Sequence, residues 1–102
     1  MSLIHAWLWQ FEQMSLDYRR LRSLTARQII GALLKDGFFL DRQTGSHRRY
    51  HHPDGRRLTL TFHSPGETFT RKTLKSMLEE QAQWTEKNIK QLGPLSNKHK
   101  TL

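Results

Sequence analysis

The side chains of this 102-residue chain that could do chemistry are its six histidines, since it holds no cysteine. Four of them, His47, His51, His52 and His63, fall within one stretch. An imidazole titrates near neutrality, so it can take a proton from one oxygen and give it to another, contributing about 10²–10⁴ in rate when well placed. His47 closes the run Gly45-Ser46-His47, and Arg42, Arg49 and Arg57 are close enough in sequence to steady charge building on a phosphate. The lack of cysteine removes thiol nucleophiles, zinc ribbons and disulfides together. His51 and His52 are adjacent, so on a strand they point to opposite faces, and no ligand-spaced carboxylate joins them. Neither a metal nor another cofactor is expected.

These side chains need elements to hold them. Thr25-Ala26-Arg27-Gln28 has the form of a capping box ahead of Ile29, Ile30, Leu33 and Leu34 at helical spacing, with Gly37 as the left-handed stop. Three antiparallel strands are expected near 38–42, 46–52 and 56–62, joined by three-residue loops at Gln43-Thr44-Gly45 and Pro53-Asp54-Gly55. A further helix is expected from Arg71 to Gln81, capped by Thr70, with Leu74, Met77, Leu78 and Gln81 on its inner stripe. A shorter one, capped by Thr85, should end at Leu92-Gly93-Pro94. The fold class is thus α+β, helix, three strands, helix, with a short C-terminal helix and an N-terminal helical extension.

Three-residue loops set Tyr50 between Leu58 and Phe38, and Arg48 between Leu60 and Leu40, gathering the apolar side chains on the face the helices must cover. Asp41, His47, Arg49, His51, Arg57, Thr59 and Thr61 then face outward. In that register Asp41 and Thr61 flank His47 and could orient it, and His63 is a diagonal neighbour at roughly 7–8 Å, the candidate for a second proton-transfer group. His51, four residues along the strand, is about 13 Å away, too far to share one phosphate with His47. A lone histidine on an exposed strand is ordinarily a solvated surface residue, so spacing alone does not make His47 catalytic.

Seventeen Lys and Arg against nine Asp and Glu give a formal charge of +8, which suits a polyanionic partner, nucleic acid before anionic lipid. Arg71, Lys72 and Lys75 open the second long helix, where a phosphate-binding edge and a merely solvated basic face are both open readings. No apolar run is long enough to cross a bilayer and no secretory signal precedes the chain, so a cytoplasmic, membrane-free protein is expected. The size implies one domain, taken as 24–93, with an extension over 1–23 and a flexible tail over 94–102. Ile4, Trp7, Phe11, Met14, Tyr18 and Leu21 would line one face of a helix in the extension. That helix is either loosely attached, with Met14 as an alternative start, or a docking helix for a partner or a second copy.

From Leu24 to about Leu92 the chain resembles the HicA (YcfA-like) family of messenger-RNA interferase toxins. The resemblance is carried by Asp36-Gly37-Phe38, Arg42-Gln43-Thr44-Gly45-Ser46-His47, Tyr50, His52-Pro53-Asp54-Gly55-Arg56-Arg57, Phe62-His63 and Thr73-Leu74-Lys75-Ser76-Met77-Leu78. It implies a fold like the double-stranded-RNA-binding domain and makes the histidine of Gly-Ser-His, His47, the catalytic residue. It also implies an endoribonuclease that cleaves messenger RNA without ribosomes and stops growth. Such a toxin is expected to be monomeric alone and multimeric with the HicB-type antitoxin that neutralises it. Arg42, Ser46, Arg49, Arg57, Lys72 and Lys75 are then the candidate RNA contacts. Two positions depart from the family pattern. Thr61 replaces a common proline, with a possible effect on where His63 points, and Gln83 replaces a glycine that closes the second helix, so the last two helices could run together. The competing readings are a non-catalytic RNA-binding module of the same fold and a degenerate toxin kept for partner binding.

Overall fold

The computed structural model describes residues 16–92. The expectations placed on Ile4, Trp7, Phe11 and Met14, on Gly93 and Pro94, and on the tail lie outside the described residues. The order is α1 (Tyr18–Leu21), α2 (Ala26–Asp36), β1 (Phe39–Thr44), β2 (His47–His51), β3 (Arg57–Thr61), α3 (Arg71–Leu74) running on as a π-helical segment (Lys75–Gln81), and α4 (Glu86–Leu92). The strands form one antiparallel sheet in the order β1-β2-β3. This is the expected α+β, double-stranded-RNA-binding-domain-like architecture.

Local chemistry sets the helix ends. The Thr25 hydroxyl accepts from the Gln28 N–H while the Gln28 side chain accepts from the Thr25 N–H, so two otherwise orphaned donors at the start of α2 are satisfied reciprocally. Gly37, at φ 111°, ends the helix, and the Phe38 N–H returns to the Leu33 carbonyl. A Cβ on Gly37 would also meet the His52 ring at 2.9 Å. Thr70 and Thr85 cap the later helices as expected.

The last two helices do not run together. Gln83 itself turns left-handed, at φ 59°, and the Trp84 N–H closes on the Leu78 carbonyl, ending the π-helical segment where a glycine would ordinarily do so.

A single core lies between the sheet and the helices, built on Ile29 and Leu33 of α2, Tyr50, Leu58 and Leu60 of the sheet, and Leu74, Met77 and Leu78 of the last long helix. Leu16, Leu21 and Leu24 are buried in it too. Fully burying each large aliphatic side chain is worth about 1.5–3 kcal/mol, so α1 has a direct energetic tie to the rest of the chain.

The second hairpin has the expected loop: the His52 N–H bonds the Arg56 carbonyl across Pro53-Asp54-Gly55, and Tyr50 faces Leu58 and Arg48 faces Leu60. The first hairpin differs from expectation. Thr44 pairs with His47, so the loop is Gly45-Ser46 alone, with Gly45 at φ 60°. Positive φ at only the first of two loop residues is the geometry that matches the twist of a two-residue hairpin.

The register then breaks between Leu40 and Arg42, where Asp41 forms a bulge. A bulge shifts the in-out alternation by one residue, which lets a two-residue loop coexist with an apolar inner face. In consequence Tyr50 faces Leu40 rather than Phe38, and Arg48 faces Gln43 rather than Leu40. Phe38 precedes the strand and is buried, whereas Leu40 on the edge strand is 45% exposed and Leu34 on α2 is 55% exposed, so neither joins the core as the pattern predicted.

Candidate active site

His47 opens β2 directly after the Gly45-Ser46 turn. The Phe62 N–H donates to the Ser46 carbonyl at 3.2 Å, tying the end of β3 to this turn and holding the start of β2 in place. His47 lies between Thr44 of β1 and Thr61 of β3. On the same face Arg42 stands directly opposite Arg49, and Thr59 flanks Arg49 on the other side.

Arg42, Thr44, His47, Arg49 and Thr59 line a cleft of about 270 Å³ on the sheet surface. No carboxylate lines it, and neither arginine is ion-paired among the described residues. Like charges set opposite one another destabilise a sheet, so this arrangement costs folding free energy. The cleft offers an exposed imidazole, two guanidiniums and two hydroxyls, which is a donor set for a phosphodiester.

The other expected site residues are distributed differently. Thr61 is the cross-strand neighbour of His47, as the register required. Asp41 is not: the bulge carries it to His51, whose Nε2 lies 3.6 Å from an Asp41 carboxylate oxygen. Arg57 pairs with His51 at the far end of β2, outside the cleft. Ser46 is half-buried in the turn. His63 lies past the end of β3, exposed, with its N–H donating to the Glu67 carboxylate at 2.7 Å, and it does not line the cleft. Lys72 and Lys75 are exposed on the last long helix. Among the described residues no three His, Asp or Glu side chains converge as a divalent-ion site requires. Sequence reasoning left Thr44 and Thr59 out of the site. A two-residue reading of the Gly45-Ser46 turn would have put Thr44 beside His47.

Most of the recognisable Asp-Gly-Phe and His-Pro-Asp-Gly-Arg residues gather at the opposite end of the sheet, in a structural knot. The His52 Nε2 meets the Asp36 carbonyl at 2.8 Å, and its Nδ1 lies 3.1 Å from the Asp54 backbone nitrogen and 3.0 Å from the Asp54 carboxylate. Arg56 is ion-paired to Asp36 at 3.0 Å and to Asp54 at 2.8 Å, and donates to the Ala82 carbonyl at 2.6 Å. The Trp84 indole N–H donates to the same Asp36 carboxylate at 2.9 Å. The Arg56 backbone N–H and its guanidinium together hold the Asp54 carboxyl below the usual carboxylate range.

Away from both, the Tyr18 hydroxyl donates to Glu79, and burial together with that bond pushes the phenol well above its ordinary range.

No match to a curated protein was found. Residues 26–84 match the family model described as the HicA toxin of bacterial toxin-antitoxin, a span that runs from the first residue of α2 through Trp84 and so contains the cleft and the knot together. The match covers more than half of the chain, which therefore belongs to the HicA family of toxins from bacterial toxin–antitoxin systems.

Proposed function

We propose that the protein is an endoribonuclease that cleaves messenger RNA without ribosomes, with His47 as the proton-transfer residue, and that a HicB-type antitoxin neutralises it. The observation that supports this most strongly is the acid-free cleft, in which His47 shares the sheet surface with Arg42 and Arg49 set directly opposite one another.

In this reading a phosphodiester of the RNA lies between the two guanidiniums and His47 takes the proton of the adjacent ribose 2′-hydroxyl. The 2′-oxygen forms a bond to phosphorus, the bond from phosphorus to the 5′-oxygen breaks, and the leaving oxygen takes a proton from solvent. Arg42 and Arg49 stabilise the charge that builds on the non-bridging oxygens, and being fixed on paired strands they need little reorganisation as it develops. Thr44 and Thr59 offer hydroxyls to the same phosphate. Arg57, Lys72 and Lys75 hold RNA beyond the cleft, and Ser46 serves chiefly to shape the turn. Asp41 belongs to His51 and takes no part, and His63 is not required as a second proton-transfer group.

The test uses purified protein, a single-stranded RNA, EDTA and no ribosomes. Cleavage is expected, and a 2′-deoxy substitution at the cleaved position should abolish it. RNA that stays intact yet is retarded on a gel would identify a non-catalytic binding module instead.

A further inference from the structure

A second basic cleft lies away from His47, and most of it is made by chain that precedes the family match. It has a volume of about 400 Å³ and is lined by Leu16, Asp17, Tyr18, Arg19, Arg22 and Arg71. All but Arg71 lie upstream of residue 26, where the match begins. Three guanidiniums face one carboxylate, and among the described residues none of the three is ion-paired. Asp17 is already engaged, its carboxylate accepting from the Arg19 N–H at 3.2 Å to cap α1. Glu79 accepts from the Tyr18 hydroxyl and does not line the cleft. Arg71 is held over the Tyr18 ring at 5.3 Å, so one of the three cations is positioned in advance.

The placement of this cleft relative to His47 follows from the helix direction. Arg56 fastens Ala82, just past the end of the last long helix, to the Pro53-Gly55 end of the sheet. Arg71, at the other end of that helix, therefore lies toward the end where β3 finishes at Thr61, the residue paired with His47. The two basic clefts thus lie toward one end of the molecule, the one at His47 on the exposed face of the sheet and this one among the helices that cover its other face.

We propose that the cleft between α1 and α3 is a second phosphate-binding subsite, in which Arg19, Arg22 and Arg71 hold the RNA backbone several nucleotides from the bond at His47. This rests on the ribonuclease reading above. The subsite gives the chain's N-terminal addition a role in substrate binding, favouring long RNA over short.

The test compares full-length His47→Ala protein, which holds RNA without cutting it, with the same protein also carrying Arg19→Ala and Arg22→Ala. Both substituted arginines are exposed, so the fold is expected to survive, and circular dichroism checks it. Affinities are measured for a single-stranded twenty-nucleotide RNA and for a trinucleotide over a range of salt. The preference for the long RNA should fall about tenfold, and the slope of log affinity against log salt should become shallower by about 1.4, the loss of two phosphate contacts to a single strand. An unchanged preference and slope would overturn the subsite while leaving the ribonuclease reading intact. Failure of the His47→Ala protein to bind either RNA would overturn both. Unchanged RNA binding with lost binding of an acidic antitoxin would overturn it in favour of a protein interface.

Discussion

The Arg56 guanidinium sits 3.0 Å from the Asp36 carboxylate, joining the Pro53-Gly55 hairpin to the end of α2. Both side chains are mostly covered, and the same carboxylate receives the Trp84 indole, so one acid gathers the sheet, α2 and the segment before α4. Arg56→Ala would leave the Asp36 carboxylate short of its cation and the Ala82 carbonyl without its donor. A loss of about 2–4 kcal/mol is expected in urea denaturation, because breaking one side of a covered ion pair strands the other. Arg57→Ala, one residue on, should stay within about 0.5 kcal/mol of the parent, since that side chain is exposed. Equal effects of the two substitutions would contradict the division between knot and RNA surface.

Gln83 offers a test in the stabilising direction. A non-glycine residue at φ 59° carries a cost of about 1–2 kcal/mol. Glycine relieves that strain and loses part of the gain to the greater freedom of the unfolded chain. Gln83→Gly should therefore stabilise the protein by about 1 kcal/mol, read as a shifted denaturation midpoint with an unchanged slope. Destabilisation would show that the Gln83 side chain contributes more than its backbone costs.

Acid sensitivity follows from Asp54, whose folded-state pKa lies below its ordinary value because it accepts from the Arg56 backbone and side chain. A lowered folded pKa means that the contribution is complete above the unfolded value, about pH 4, and is lost as pH falls through the folded one. Between neutrality and pH 4 the contribution is constant. Stability measured from pH 7 to pH 2 should thus fall less steeply below pH 4 in Asp54→Asn than in the parent. Parallel curves would mean that the Arg56 bonds do not distinguish the charged carboxylate.

The bulge makes a prediction about Asp41. Since Asp41 lies beside His51 rather than His47, Asp41→Asn should leave the cleavage rate within about twofold of the parent, well short of the 10²-fold or larger loss expected of a proton-transfer partner. A loss of that larger size, with RNA affinity unchanged, would return Asp41 to the machinery around His47.

What the sequence revealed and what it concealed both have local causes. The Thr25-Gln28 capping box, the Gly37 stop and the Pro53-Asp54-Gly55 loop act through short-range sterics and hydrogen bonds, so residue type alone located them. The second hairpin followed from its loop, and with it the pairing of His47 with Thr61. The first hairpin was misread because two irregularities compensate: a loop one residue shorter than expected and a bulge at Asp41 restore the same alternation. Gly45-Ser46 is itself a two-residue hairpin signal, but without the bulge such a loop mixes the two faces of the sheet, which is why the register pointed to the longer one. The structural knot was hidden for a different reason, since Asp36, His52, Arg56 and Trp84 are far apart in sequence and the types of the first three suit a polar surface equally well. Exposure of Leu34 and Leu40 depends on how far the helices reach over the sheet edge, which periodicity does not encode.

The central claim, proton transfer by His47, is tested most directly by the initial rate of cleavage of one single-stranded RNA by His47→Ala relative to the parent, with RNA affinity measured alongside. The account predicts a fall of at least about 10²-fold in rate with affinity largely preserved, because Arg42 and Arg49 still hold the phosphate. A rate within tenfold of the parent, or a rate lost only in proportion to affinity, would contradict it.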